Sequence, residues 1–370
     1  MGIALRSGNE MAAHGALAAG CNFFSGYPIT PSSAVYAEMM RLLPARGGVA
    51  LGAPDEISAL SYAVGASLAG ARAMTATSGP GWSLMVETFQ YALMTETPVV
   101  IVVVQRLGPA TGGATQGAQG DVLFVEYANS GGYPVPVLAP TDAVDSYTLT
   151  AEAFRWAEEL RTPVVLLSDK ETATTIESVD LAALPPVQVK PRAAAPSDGD
   201  PFVPYRIDRE EDVPLFAPVG GANKVTATGS AHNERGQLRK NDPETLRQLQ
   251  HLRKKVEARA ADMELVRHHR SGKRARVLLV SFGVSARTCR QVAREDASVS
   301  LLEVLSLFPV PHRALRAALE GIERVVIVEE NGPGLYAREL RPHLDDVEVR
   351  QVNEVGAMIT PDAIRKAVVA

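Results

Sequence analysis

Cysteine is nearly absent from this chain: Cys21 and Cys289 are the only two among 370 residues. Two thiols cannot build the four-thiolate cage of an iron–sulfur cluster or an all-cysteine zinc site, and a disulfide framework is excluded with them. Long apolar runs are missing as well. The longest, Pro98 to Val104, has the length of a buried strand and falls far short of the roughly 18 residues a membrane helix needs. Positive charge is not in excess: the formal net charge is −5 and the pI about 5.9, which excludes a general nucleic-acid surface. Residues Met1 to Arg6 carry no basic region followed by an apolar stretch and a cleavage site, so the expectation is a cytoplasmic protein. No Walker A string occurs, and no G-x-G-x-x-G follows a first strand, which removes the usual anchors of a mononucleotide or NAD site. What remains is 46% hydrophobic with a mean hydropathy of +0.01, the profile of a globular chain. At roughly 100–200 residues per domain, two or three domains are expected.

From Asn9 to about Thr175 helix-like and strand-like segments alternate, the pattern of an α/β domain on a mostly parallel sheet. Helices are predicted over Glu10–Ala19, Ser33–Leu43, Glu56–Ala69, Trp82–Met94, Asp121–Ser130 and Ala143–Leu160. Strands are predicted over Asn22–Tyr27, Ala71–Thr77, Pro98–Val104, Val135–Ala139 and Pro163–Leu167. Pro185 to about Asn223 is rich in Pro, Ala, Ser and Asp and reads as a linker. A charged helix is predicted from about Pro243 to Arg267, followed by a basic stretch to Arg276 that reads as a solvated connector. A second α/β pattern runs from Arg276 to the last helix at Pro361–Val369. The expected division is residues 1–184, a connector 185–275, and 276–370.

Ligands of open α/β sheets bind in the loops beyond the carboxyl ends of the strands, where helix N-termini and free N–H groups converge. Four loops qualify: Tyr27 to Ser33, Ala53 to Glu56, Thr75 to Gly81, and Gln105 to Gly112. They offer hydroxyls, backbone amides, a glutamate and an arginine, which suits an organic anion and a nitrogen heterocycle rather than a metal. Taken singly, each admits a plainer reading. Gly79-Pro80-Gly81 serves a tight turn as well as a phosphate, and Glu56 is also a favourable first-turn acid of its helix. Asp198-Gly199-Asp200 reads as a solvated turn within the linker. His232, His251, His268 and His269 lack the spacing of a zinc site, and neither cysteine stands in a nucleophile context.

Together the loops carry more. Ser25-Gly26-Tyr27-Pro28-Ile29-Thr30-Pro31-Ser32-Ser33, Asp55-Glu56-Ile57, Thr75-Ala76-Thr77-Ser78-Gly79-Pro80-Gly81, Gln105-Arg106 and Gln119-Gly120-Asp121 resemble the alpha subunit of 2-oxoacid:ferredoxin oxidoreductases, the 2-oxoglutarate enzyme in particular. The likeness continues through Asn223-Lys224 and Thr228-Gly229 to Ser281-Phe282-Gly283 and Val328-Glu329-Glu330-Asn331. It implies a thiamine-diphosphate-binding-fold pyrimidine domain and a transketolase-C-terminal-like α/β domain. It implies oxidative decarboxylation of 2-oxoglutarate to succinyl-CoA with coenzyme A and ferredoxin, in an α2β2 assembly with a beta subunit. Thiamine diphosphate would be shared between the subunits, with Mg2+ and a 4Fe-4S cluster on the beta subunit and no metal on this chain. Neither nucleic acid nor membrane is an expected partner.

The resemblance also implies roles. Glu56 matches the glutamate that binds the aminopyrimidine ring, where a carboxylate favours the tautomer able to take up a proton. Thr30 and Arg106 match the positions that hold the substrate carboxylate. Ile29, Ser78, Gly79 and Gly81 would shape the cofactor pocket. The loop after Arg106 departs from the pattern, since Leu107 and Ala110 replace the more usual glycine and serine, and no second cation for a distal carboxylate is evident. The alternatives are a pyruvate or branched-chain 2-oxoacid enzyme and a non-catalytic scaffold subunit of the same fold.

Overall fold

The computed structural model describes residues 2–197, 201–270, 275–344 and 347–369, so Asp198-Gly199-Asp200 lies outside the described residues. From the N-terminus the chain forms β1 (Ile3–Ser7), α1 (Gly8–Ala18), β2 (Phe23–Gly26), α2 (Ser33–Leu42), β3 (Val49–Gly52), α3 (Glu56–Leu68), β4 (Ala73–Ser78), α4 (Gly79–Met94) and β5 (Val99–Gln105). After a long loop come α5 (Val122–Glu126), β6 (Val137–Leu138), α6 (Ala143–Leu160), β7 (Pro163–Asp169), α7 (Lys170–Thr174) and β8 (Ile176–Asp180). The remainder contains α8 (Pro243–Glu257), β9 (Val266–Arg270), β10 (Val277–Ser281), α9 (Gly283–Glu295), β11 (Val299–Val304), β12 (Ser306–Phe308), α10 (His312–Ala318), β13 (Arg324–Glu329), α11 (Leu335–Leu340), β14 (Glu348–Asn353) and α12 (Pro361–Val369).

Seven strands make the first sheet in the order β12-β6-β7-β5-β4-β2-β3, parallel except for β12. Its centre is β5, whose run of valines and isoleucine is buried on both faces, as a covered parallel strand requires. Each such side chain contributes about 1.5–3 kcal/mol on burial. Residues of α1, α2 and α6 close one face. Residues of α3 and α4 close the other and run without a break into Leu278, Val280, Phe282, Leu302 and Tyr336 of the C-terminal half, so the two halves share one apolar core. The second sheet has the order β14-β13-β10-β11-β9, with β9 antiparallel at its edge. β1 and β8 pair as a separate antiparallel ribbon.

Helix starts follow their caps. Ser7 and Glu10 form a capping box on α1. Asp55, extended at φ −159°, accepts the Ser58 N–H at 2.7 Å and thereby begins α3 at Glu56.

Three expectations give way. The predicted linker is pinned against the first domain: Arg192 pairs with Glu158 at 2.7 Å in the interior, donates to the Ser67 and Ala71 carbonyls, and lies over the Phe216 ring. Composition signalled a linker because Pro and Ser bar regular structure, which does not bar packing. The charged helix ends at Glu257, and its buried face binds Glu96 through Lys255 at 2.8 Å and His251 at 2.9 Å. The basic stretch is not a solvated connector where it is described. Val266–Arg270 is a strand whose Arg267 reaches both Asp145 and Glu303, acids supplied by α6 and β11.

Candidate active site

The carboxyl ends of β2, β4 and β5 open on one side of the first sheet, and the predicted loops meet there. Glu56 is the first residue of α3 and is 7% exposed; among the described residues its carboxylate makes no hydrogen bond or ion pair, and its oxygens remain open to the site. It rests against the first turn of α4. A Cβ on Gly81 would stand 2.6 Å from Cγ of Glu56 and would also strike the Thr77 hydroxyl, so this approach requires glycine. Ser78 occupies the N-cap of α4 without capping it, and its buried Oγ has no partner among the described residues.

On the other side of the same helix start stands a second acid. A Cβ on Gly79 would be 2.8 Å from Oδ2 of Asp121. That oxygen is buried and unpartnered; burial pushes the Asp121 carboxyl up to about 6 despite the opposing charge of Arg106. The Asp121 N–H donates to Oε1 of Gln105 at 2.9 Å. Arg106 follows at the end of β5. Its Nη1 donates to the Thr30 carbonyl at 2.5 Å, which ties the β5 and β2 loops together, while its buried Nε has no partner among the described residues. Buried polar atoms are ordinarily satisfied, so the unpartnered atoms of Ser78, Asp121 and Arg106 mark a place where a ligand or water is expected.

Two cavities flank this line of residues. One of about 420 Å³ lies between the halves of the chain, lined by Gly79, Arg106, Leu107, Asp121, Glu330 and Val355 among others. Burial, with Asp169 nearby, pushes the Glu330 carboxyl up to about 7. The second, about 610 Å³, is lined by Thr30, Asn9, Glu38 and Lys170 among others. Thr30 is exposed, and Ile29, half-buried, accepts from the Ser32 hydroxyl at 2.9 Å, which shapes the turn into α2.

The geometry therefore brings Glu56 and Gly81 into one group, Arg106 and Thr30 into a second, and sets Ser78 and Gly79 at the helix start between them. Asp121, Gln105 and Glu330 were given no role from the sequence. Their signal was present, since all three fall inside strings quoted for the resemblance, but a role needs the fold that joins Glu330 to a loop more than 200 positions earlier. Both cysteines are buried, and burial pushes both thiols up to about 12. Among the described residues no group of three or more His, Cys, Asp or Glu could hold a metal ion. No helix among them is long and apolar enough to cross a membrane.

An open α/β sheet with Glu56 and Arg106 at its ligand edge places the chain among the α/β proteins that bind a ligand beyond their strand ends, and the comparisons narrow it. The family model described as pyruvate flavodoxin/ferredoxin oxidoreductase, thiamine diphosphate-binding, matches residues 14–250, and the chain belongs to that family. It is 39% identical to the 2-oxoglutarate synthase subunit KorA of Archaeoglobus fulgidus over 98% of both chains. It is 34% identical to the KorA subunit of Methanocaldococcus jannaschii over 100% of both. The likeness to the alpha subunit of 2-oxoacid:ferredoxin oxidoreductase 2 of Aeropyrum pernix, 34% identical, covers 91% of this chain and 56% of that one. Among solved structures, a 2-oxoglutarate:ferredoxin oxidoreductase from Magnetococcus marinus, with 2-oxoglutarate, coenzyme A and succinyl-CoA bound, superposes with a TM-score of 0.92 at 28% identity. That match covers 99% of this chain and 64% of the other.

The residues present fit the pyrimidine end of thiamine diphosphate. The Glu56 carboxylate is bonded to no other described residue and is open to the site, so it is available to a donor, and an aminopyrimidine ring can present one.

Proposed function

We propose that this chain is the alpha subunit of a 2-oxoglutarate:ferredoxin oxidoreductase. Together with a beta subunit it would convert 2-oxoglutarate and coenzyme A to succinyl-CoA and CO2 while reducing ferredoxin. The observation that carries the reading is Glu56: a carboxylate held against Gly81, open to the site and bonded to no other described residue, in a chain whose full-length relatives are 2-oxoglutarate synthase subunits. In this reading residues 1–184 are the pyrimidine-binding domain, 185–275 a linker and charged helical connector packed against it through Arg192 and Lys255, and 276–370 a transketolase-C-terminal-like domain. The assembly is cytoplasmic and α2β2, with Mg2+ and a 4Fe-4S cluster on the beta subunit.

Bound thiamine diphosphate would supply the nucleophile and electron sink that decarboxylation of a 2-oxoacid needs. The residues of this chain act around it. Glu56 would hold a proton at the aminopyrimidine ring, its carboxylate being open to the site and bonded to no other described residue. Arg106 offers charge-assisted hydrogen bonds to the carboxylate of the substrate, and Thr30, tied to it through its carbonyl, adds a hydroxyl. Ile29, Ser78, Gly79 and Gly81 leave room for the ring and line it.

A complex co-expressed with the beta subunit and assayed for acceptor reduction should turn over 2-oxoglutarate in preference to pyruvate and branched-chain 2-oxoacids. Turnover of pyruvate without 2-oxoglutarate would instead assign the chain to a pyruvate enzyme. Unaltered turnover in Glu56→Gln would favour a scaffold subunit.

A further inference from the structure

In the second sheet β10 leads to β11 on one side, and the chain then crosses to β13 on the other. In open parallel sheets the carboxyl ends of the strands at such a reversal form the crevice that receives a ligand. Here the first domain fills that crevice with its own side chains. Gln119, fully buried, donates from its backbone N–H to the Glu330 carbonyl at 2.7 Å, and its own carbonyl accepts from Nδ2 of Asn331 at 3.0 Å. Its Nε2 donates to Oδ2 of Asp169 at 3.1 Å and to the Phe282 carbonyl at 3.2 Å. Its Oε1 accepts from the Glu330 N–H at 2.9 Å and from the Ser285 hydroxyl at 3.2 Å. Asp169, from the end of β7, accepts the Val284 N–H at 2.7 Å, where the first turn of α9 would otherwise hold an anion. Gly283 has φ +57°, and a Cβ there would stand 2.6 Å from Nε2 of Gln119 and would also collide with the Asp169 carboxylate.

The loop that Gln119 anchors is the one that begins at Arg106. Residues 106–121 contain no helix or strand beyond an isolated bridge between Leu107 and Gly113. Two residues after the anchor, the Asp121 N–H is bonded to the side chain of Gln105, the neighbour of Arg106.

We propose that Gln119 is a positioning residue: it uses the ligand crevice of the C-terminal sheet as a socket and thereby fixes Arg106 and Asp121 at the candidate site. This rests on the function proposed above. It gives the C-terminal domain a task at the candidate site.

The test is Gln119→Glu in the complex with the beta subunit. The variant keeps an acceptor for Glu330 and Ser285 but turns a carboxylate toward Asp169. Glu330, Glu171 and Asp121 are the other acids near this point, with Lys170 paired to Glu171 and Arg106 across the cavity. At about pH 8.5 the facing carboxylates repel; at about pH 6 a shared proton restores the donor. The expected result is a KM for the 2-oxoacid raised about tenfold at the higher pH, with kcat within about twofold and recovery toward wild type at the lower. Gly283→Ala, which crowds the same atoms without charge, should raise KM at both pH values. Hydrogen exchange of residues 106–121 in the same complexes reads the clamp without turnover and should accelerate relative to wild type at about pH 8.5. Unchanged KM in both variants, or a loss confined to kcat, overturns the proposal, as does unchanged exchange of the loop. A wild-type complex that turns over no 2-oxoacid counts against the proposed function, while the exchange experiment still decides whether Gln119 holds the loop.

Discussion

A side chain on Gly81 would place its Cβ 2.7 Å from Oε1 of Glu56, so α4 can begin beside this carboxylate only because residue 81 has none. Gly81→Ala must displace either the helix start or the acid. In the assembled enzyme the expected outcome is a loss of at least about 100-fold in kcat, comparable to removal of the acid–base group itself, as measured by acceptor reduction.

Glu56→Gln separates chemistry from stability. Turnover should fall by about 10²- to 10⁴-fold. Thermal unfolding without cofactor should be unchanged, because the carboxylate is open to the site and is bonded to no other described residue. A fall in both quantities would identify the residue as structural.

Arg106→Lys tests the carboxylate-holding role. An ammonium cannot both bond the Thr30 carbonyl and present a planar pair of donors, so kcat/KM for the 2-oxoacid should fall by about 10- to 100-fold, mostly through KM. The check is initial-rate kinetics across substrate concentrations; a loss in kcat alone would argue against carboxylate binding.

Glu330 links stability to pH. Its carboxyl stands at about 7 rather than the ordinary 4.5, raised first by burial and then by Asp169. The stability this protonated group contributes is present below about pH 4.5 and lost as pH rises through about 7. Glu330→Gln, which keeps an acceptor for Ser285 and the Ile359 N–H, should therefore raise the melting temperature by a few degrees at about pH 8 and leave it unchanged at about pH 4. Thermal unfolding at the two pH values reads this directly.

The pair Arg192–Glu158 is the structural counterpart. Both side chains are buried, and Arg192 also satisfies carbonyls of Ser67 and Ala71. Glu158→Ala strands a buried cation and should cost about 3–5 kcal/mol in denaturant unfolding. An apolar replacement of both partners should cost less.

The strand Pro98–Val104 and the start of α3 were legible in sequence because their causes are local: an unbroken apolar run, and an aspartate one residue before a helix. Glu56, Thr30 and Arg106 could be singled out because the loops around them form long strings. Asp121 and Gln119 lie in such a string too, but Asp121 meets Gln105 and Gly79 only once separate strands are laid side by side, and Gln119 finds Phe282, Ser285 and Glu330 more than 150 positions later. The basic run at Arg267 misled for the same reason, since the partners that draw it into a strand, Asp145 and Glu303, sit on other elements. β1 and β8 escaped notice because each is a five-residue segment that finds its partner only across the whole first domain.

β12 gives the architecture a consequence of its own. These three residues, Ser306–Phe308, leave the C-terminal sheet's sequence to close the far edge of the first sheet against Val137–Leu138. A protein cut after residue 275 would expose that edge to pairing with other chains. The halves are thus interleaved rather than tethered, and neither could be exchanged between relatives by swapping one contiguous stretch at the apparent boundary.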